Sequence, residues 1–172
     1  MAIKNEIAAI LEQCRGTAVS GQELADRLGV SRAAVWKAVK QLQEDGYSIS
    51  AVTNRGYCLE DISDVLTTEG IRLHLTEKYR EIPVEVFHSV SSTNTETKAA
   101  ALRGAPHGTL IAADEQTAGR GRFGKPFYSP ANTGLYMSVL LKPQKPLSDC
   151  VGITIAAACA ITDSLESICG IH

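Results

Sequence analysis

Residues 114–130 read DEQTAGRGRFGKPFYSP, with Arg120 and Arg122 set among Gly119, Gly121 and Gly124. Side chains two apart in an extended stretch point the same way, so the two guanidinium forks can meet one phosphate or carboxylate. The glycines let the backbone approach such an anion closely. Phe123, Phe127 and Tyr128 can supply apolar cover if the loop folds down, keeping water from a hydrolysable intermediate. The spacing thus points to a loop that can hold a phosphate or carboxylate; a flexible surface loop with solvated arginines is the alternative.

Two better-known phosphate motifs fit the letters and fail in context. Gly119, Gly121 and Gly124 satisfy GxGxxG, but that turn must open a helix facing a pyrophosphate, and Pro126, Pro130 and the turn-like SPANTG forbid one. Gly119, four residues, Gly124 and Lys125 satisfy all but the end of a P-loop. There Pro126 replaces the hydroxyl that would hold magnesium.

The elements around the loop are legible from periodicity. PVEVFHSV alternates as a strand, SSTNTETKAAALRG reads as a helix with Thr93 and Glu96 as a capping box, and GTLIAADEQ reads as a buried strand. TGLYMSVLLKP is a further strand after the loop. A last helix from Asp149 to Ile168 gathers Val151, Ile155, Ala158, Thr162, Leu165 and Ile168 near one stripe. The fold class is α+β, with the loop between two strands of a mixed sheet.

The first sixty residues follow another plan. Ile3, Ile7, Ile10 and Leu11 mark a helix over residues 2–14, and Ser20 with Glu23 caps a second that ends at Gly29. Ser31 opens SRAAVWKAVKQLQED, where Val35, Val39 and Leu42 share one face while Trp36, Lys37 and Lys40 share another, with Arg32 at the border. Two helices joined by a tight glycine turn make a helix-turn-helix. YSISAVTNRGYCLE then predicts a hairpin with Arg55 at its tip, the wing of a winged helix. Ser31, Arg32, Trp36, Lys37, Lys40 and Arg55 are the candidate DNA contacts. LEDISDVLTTEG has connector composition, which divides the chain into residues 1–63 and 64–172.

Composition bounds these readings. The chain has 172 residues, 44% hydrophobic and 21% charged, enough for one large or two small domains. A net charge of −2 confines any contact with nucleic acid to one local face. The longest apolar run, VGITIAAACAI, is too short to span a bilayer, and no cleavable signal stretch opens the chain, so a cytoplasmic protein with no membrane partner is expected. The five cysteines form no CxxC pair, so idle thiols are expected rather than disulfides or a metal site.

SSTN at 91–94, the AGRGR core of the loop and TGLYMSVLLKP after it resemble the catalytic domain of biotin protein ligases. The winged helix in front resembles the bifunctional kind that also represses biotin synthesis genes. The resemblance covers essentially the whole chain. It implies that biotin's carboxylate attacks the α-phosphorus of ATP, used with Mg2+, to give biotinyl-5'-AMP, and that a lysine of a biotin carboxyl carrier domain then takes the biotin. Ser92, Thr93 and Gln116 would bind biotin's polar head, Gly119 would hold the loop against the ligand, and Asn94 and Gly121 would also belong to the cofactor-binding set. Arg120 and Arg122 would act catalytically on carboxylate and phosphate, with Phe127 as an aromatic wall where the family often has tryptophan.

The resemblance also implies operator DNA as a partner and a homodimer once the adenylate is bound. The family's catalytic lysine lies in a K-W-x-N-D strand after the final helix, and this sequence ends before it; Lys125, Lys142 and Lys145 are in other segments. The chain is therefore expected to bind biotin without transferring it, and to lack the family's small C-terminal β-domain. A regulator without catalysis and a lipoate-type ligase are the alternatives.

Overall fold

The computed structural model describes residues 3–52, 55–61, 63, 65–144 and 146–170. It has two compact units, residues 1–140 and 141–172.

In the first unit α1 (Ile3–Gln13), α2 (Gly21–Leu28) and α3 (Arg32–Glu44) surround a core of Ile7, Leu11, Leu24, Val35, Val39 and Leu42, each 2% exposed or less. These belong to the apolar faces expected from helical spacing, with Ala38 added, while Ile10 is only partly buried and Ile3 is exposed. Ser20 accepts from the backbone N–H of Glu23 at 3.0 Å, but Glu23 pairs with Arg27 at 2.6 Å, so the second arm of the capping box is not used. Gly29 ends α2 at φ 64° and Ser31 caps α3, giving the tight turn.

β1 (Ile49–Val52) and β2 (Gly56–Leu59) pair antiparallel, and Tyr57 bridges back to Val19. Gly56 sits at φ 112°, where a Cβ would overlap the carbonyl oxygen of Val19. Only glycine fits that approach. Asn54, part of the expected hairpin tip, lies outside the described residues; Arg55 donates its N–H to Val52 and is exposed.

The connector is strapped down. Buried Glu12 pairs with Arg15 at 2.6 Å, and Arg15 donates to the carbonyls of Ser63 at 2.6 Å and Glu60 at 3.3 Å. Thr67 then caps α4 (Thr68–His74), which packs on α1 and against β3.

β3 (Val84–Val90), α5 (Thr93–Leu102), β4 (Leu110–Gln116) and β5 (Tyr136–Val139) complete this unit. The sheet order is β3-β4-β5, with β3 and β4 parallel and β4 and β5 antiparallel, so the mixed sheet is as expected. α5 departs from the sequence reading at its start. Its N-cap is Ser92, without a side-chain cap bond, and Thr93 is already helical. Thr93 is no cap because its hydroxyl is drawn into the side-chain contacts of the sheet described below.

In the second unit a 3-10 turn at Leu147–Cys150 leads into α6 (Ile153–Cys169), which starts four residues later than periodicity suggested. No residue of α6 is buried. By length and composition only, Ser148–Cys169 is long and apolar enough to cross a membrane, a longer segment than the apolar run read from the sequence. Average apolarity over the segment stays high despite Asp163 and Glu166, and core helices of soluble proteins meet the same test.

Candidate functional site

Because β3 and β4 run parallel, their C-terminal ends lie side by side, with Val90 opposite Gln116. The chain leaving β3 turns at once into α5, and the chain leaving β4 enters the glycine loop. The two segments are tied by Thr117 donating to Val90 at 2.9 Å and Ala118 donating to Ser91 at 2.8 Å. The N-terminus of α5, the positive end of a helix dipole, thus opens beside the start of the arginine loop. The C-terminal edge of parallel strands is a recurrent place for ligands.

A polar cluster occupies this junction. Gln116 Oε1 accepts from the Thr93 N–H at 2.9 Å and faces the Thr93 hydroxyl at 3.2 Å, while Gln116 Nε2 donates to Ser129 Oγ at 3.2 Å. Ser129 in turn donates to the carbonyl of Phe127 at 3.3 Å. Ser138 on β5 lies 2.9 Å from the Thr93 hydroxyl and 2.9 Å from the Asn94 amide. Ser92, Thr93 and Ser129 are buried. Gln116 and Ser138 are half-buried and Asn94 is exposed, so the cluster has a dry base and an open side, which suits recognition of a small polar ligand.

The loop itself is a closed tongue. Gln116 and Ser129 form a backbone bridge at its base, as do Arg120 and Pro126 further out, and Phe127 donates to Gly119 at 2.9 Å. At the tip Arg122–Gly124 make a 3-10 turn with Phe123 at φ 59°. The extended geometry expected to align the two arginines therefore stops before Arg122, because the chain must reverse to pair with itself. Arg120 donates to the carbonyl of Gly124 at 3.4 Å, and the Arg122 guanidinium lies 5.5 Å from the Phe123 ring. Neither arginine is in an ion pair among the described residues. Phe123, Phe127 and Tyr128 are exposed, so the aromatic cover is open.

The structure thus joins Thr93, Asn94 and Gln116 in one network, sets Gly119 against it, and leaves Arg120, Arg122 and Phe127 facing outward. Sequence reasoning missed Ser129 and Ser138. The alternation of YMSV offered a signal for Ser138, which shares a face of the sheet with Ile111. Nothing local marked Ser129. A cavity of about 860 Å³ lies elsewhere, where α1, α3, α4 and β3 meet, and contains none of the candidate residues.

The candidate DNA-binding surface is built by α3. Arg32, Trp36, Lys37 and Lys40 are all exposed while the opposite face packs the core, and Lys40 Nζ sits 5.4 Å from the Trp36 ring. Ser31 Oγ accepts from Ala34 at 3.2 Å, so its first role is the cap. Elsewhere Cys58 is buried, and that burial, with Glu60 and Asp61 nearby, pushes its thiol pKa up; all five cysteines are free.

Residues 4–58 match the family model of an HTH domain, and residues 86–170 match that of the biotin/lipoate A/B protein ligase family. A helix-turn-helix domain precedes a ligase-family domain. Over 170 residues the chain is 34% identical to the "Bifunctional ligase/repressor BirA" of Bacillus spizizenii, covering 99% of this chain and 52% of that protein. The protein of that name from Bacillus subtilis is 35% identical over 171 residues, again 99% and 52%. The one from Escherichia coli is 27% identical over 149 residues, 87% of this chain and 45% of the relative. The chain spans about half the length of the curated relatives it matches. Both the winged helix and the α+β ligase-family fold read from the sequence accord with these matches.

Proposed function

We propose that this chain belongs to a biotin protein ligase that also represses transcription, with residues 1–63 binding operator DNA and residues 64–172 forming part of the catalytic domain. The observation that carries the reading is the Thr93–Gln116–Ser129 network at the base of the Arg120/Arg122 tongue, in one chain with a helix-turn-helix.

In this reading Ser92, Thr93 and Gln116 take the polar ring of biotin, with Asn94 beside them, leaving its carboxylate toward the tongue. Gly119 and Gly121 let the tongue lie against the ligand, and Phe127 walls it. A biotin carboxylate oxygen attacks the α-phosphorus of ATP and pyrophosphate leaves, giving biotinyl-5'-AMP. Magnesium enters with the ATP phosphates as part of that substrate. Arg120 and Arg122 swing from their present contacts onto the carboxylate and phosphate, offsetting the charge that gathers there. A lysine amine of a carboxyl carrier domain then attacks the mixed anhydride carbonyl, AMP leaves, and an amide forms with loss of a proton. The adenylate would also favour a homodimer, whose two α3 helices suit a two-fold operator.

Calorimetric titration of the 172-residue chain with biotin and with lipoate tests the reading: biotin should bind and lipoate should not. The reverse preference would assign a lipoate-type ligase. Gel shift on a two-fold operator fragment tests the DNA-binding half.

A further inference from the structure

The side-chain network at the end of β4 has more gaps to bridge than hydroxyl hydrogens to bridge them. Gln116 Oε1, Thr93 Oγ1, Ser138 Oγ and the Asn94 side-chain oxygen form a row with gaps of 3.2, 2.9 and 2.9 Å. Two hydroxyl hydrogens must serve these three gaps. The Gln116 end cannot be turned round, because its Oε1 takes the Thr93 N–H at 2.9 Å and its nitrogen donates to Ser129. The Asn94 end can, since that side chain is exposed and a half-turn of the amide exchanges oxygen for nitrogen.

From this count we infer that Asn94 presents its amide nitrogen to Ser138, so that Asn94 and Ser138 are positioning residues that orient Thr93 and Gln116 for the bound ligand. One unbroken chain of donors then runs from Asn94 to Ser138, Thr93 and Gln116, and on through Ser129 to the Phe127 carbonyl. Each gap holds one hydrogen. Gln116 Oε1 is saturated by two donors and its nitrogen keeps one hydrogen for a ligand carbonyl. Thr93 donates to Gln116, accepts from Ser138 and keeps one lone pair for a ligand N–H. A cyclic urea offers both a carbonyl and N–H groups, whereas a dithiolane offers neither. This deepens the biotin reading of the site and rests on it.

The test reverses the chain's direction. Asn94→Asp places a carboxylate, an acceptor only, beside Ser138; the Ser138 hydrogen turns to it, and the single Thr93 hydrogen then leaves either the Ser138–Thr93 or the Thr93–Gln116 gap with opposed lone pairs. Asn94→Ala removes the donor without supplying a competing acceptor, so Ser138 still donates to Thr93. Residue 94 stands in the first turn of α5, where Asp favours the helix, so lost affinity would not reflect lost folding; thermal unfolding of each variant checks this. Binding to the 172-residue chain is measured by calorimetry with biotin and with uncharged biotinamide, which separates hydrogen-bond direction from repulsion of biotin's carboxylate.

At pH 7 Asn94→Asp should lose about tenfold in affinity for both ligands. Asn94→Ala should lose clearly less than Asn94→Asp for both ligands. Affinity of the Asp variant should recover as pH falls through the carboxyl range near about 4, where a protonated Asp donates again. Biotinamide binding that is unchanged by Asn94→Asp, or an equal loss in Asn94→Ala, would overturn the directional chain while leaving the biotin reading in place. An unaltered chain that binds neither biotin nor biotinamide would remove both.

Discussion

Gly119 and Phe127 meet across the base of the arginine tongue so closely that a Cβ on residue 119 would stand 2.8 Å from the Phe127 carbonyl oxygen and 2.9 Å from Ser129 Oγ. The neighbours are backbone and a buried serine, and neither can yield cheaply. Gly119→Ala should therefore pry the tongue from the Gln116 network. We expect biotin affinity to fall at least about tenfold, with about 1–3 kcal/mol lost in stability, read by calorimetry and denaturant unfolding.

Gly56 holds the wing in the same way, with an added constraint from its positive φ of 112°. Gly56→Ala should separate β2 from Val19 and cost about 1–3 kcal/mol. Operator affinity should fall with it while biotin binding is spared. Equal loss of both ligands would show instead that the whole unit had come apart.

The exposed basic face of α3 predicts a salt signature. Lys37→Ala and Lys40→Ala should each weaken operator binding and lower the slope of log affinity against log salt by about one, since each cation removed from a phosphate releases about one fewer counterion. Lys40 lies over Trp36, the chain's single tryptophan, so its loss should also change the Trp36 emission. Arg55→Ala should act through the wing. Unchanged binding in all three variants would reduce this face to solvated surface.

Arg120 now rests on the Gly124 carbonyl at 3.4 Å, a weak contact readily exchanged for an anion. Charge-assisted hydrogen bonds are worth about 1.5–3 kcal/mol, or about one to two powers of ten. Arg120→Ala should thus weaken binding of synthetic biotinyl-5'-AMP by that factor and of biotin by less. Equal losses for the two ligands would assign Arg120 to the biotin head rather than to the phosphate.

Tyr47 supplies a pH test of the region where α3, α4 and β3 meet. Burial, opposed by a hydrogen bond with Thr67, pushes its phenol up from 10.0 to about 12. The unfolded chain releases this proton near pH 10 and the folded chain near pH 12. Between those values the unfolded state binds fewer protons, so the contribution is present below pH 10 and is lost as pH rises toward 12. Tyr47→Phe should flatten the alkaline fall in melting temperature over that window.

Features that depend on neighbours within a turn or two are legible in the residues alone. Ser20, Gly29 and Ser31 delimit the helices of the helix-turn-helix, the faces of α1 and α3 follow from 3.6-residue spacing, and the β3–α5–β4 order follows from alternation and the cap-like SSTN stretch. In the site, Thr93, Asn94, Gln116 and the AGRGR glycines were legible through resemblance, while periodicity alone supplied only their elements.

Features that depend on register between distant segments emerge only in the folded chain. Gln116 meets Thr93 from 23 positions away, and Ser138 meets Thr93 from 45 positions away. The folded chain also turns Thr93 from a helix cap into a member of the network, bends the arginine loop back on itself, and uses Arg15 to strap the connector to α1. The physical reason is that a hydroxyl or amide has several partners within reach in an extended chain. Which one it takes is set by strand pairing and burial, and these become defined only when the whole sheet has formed.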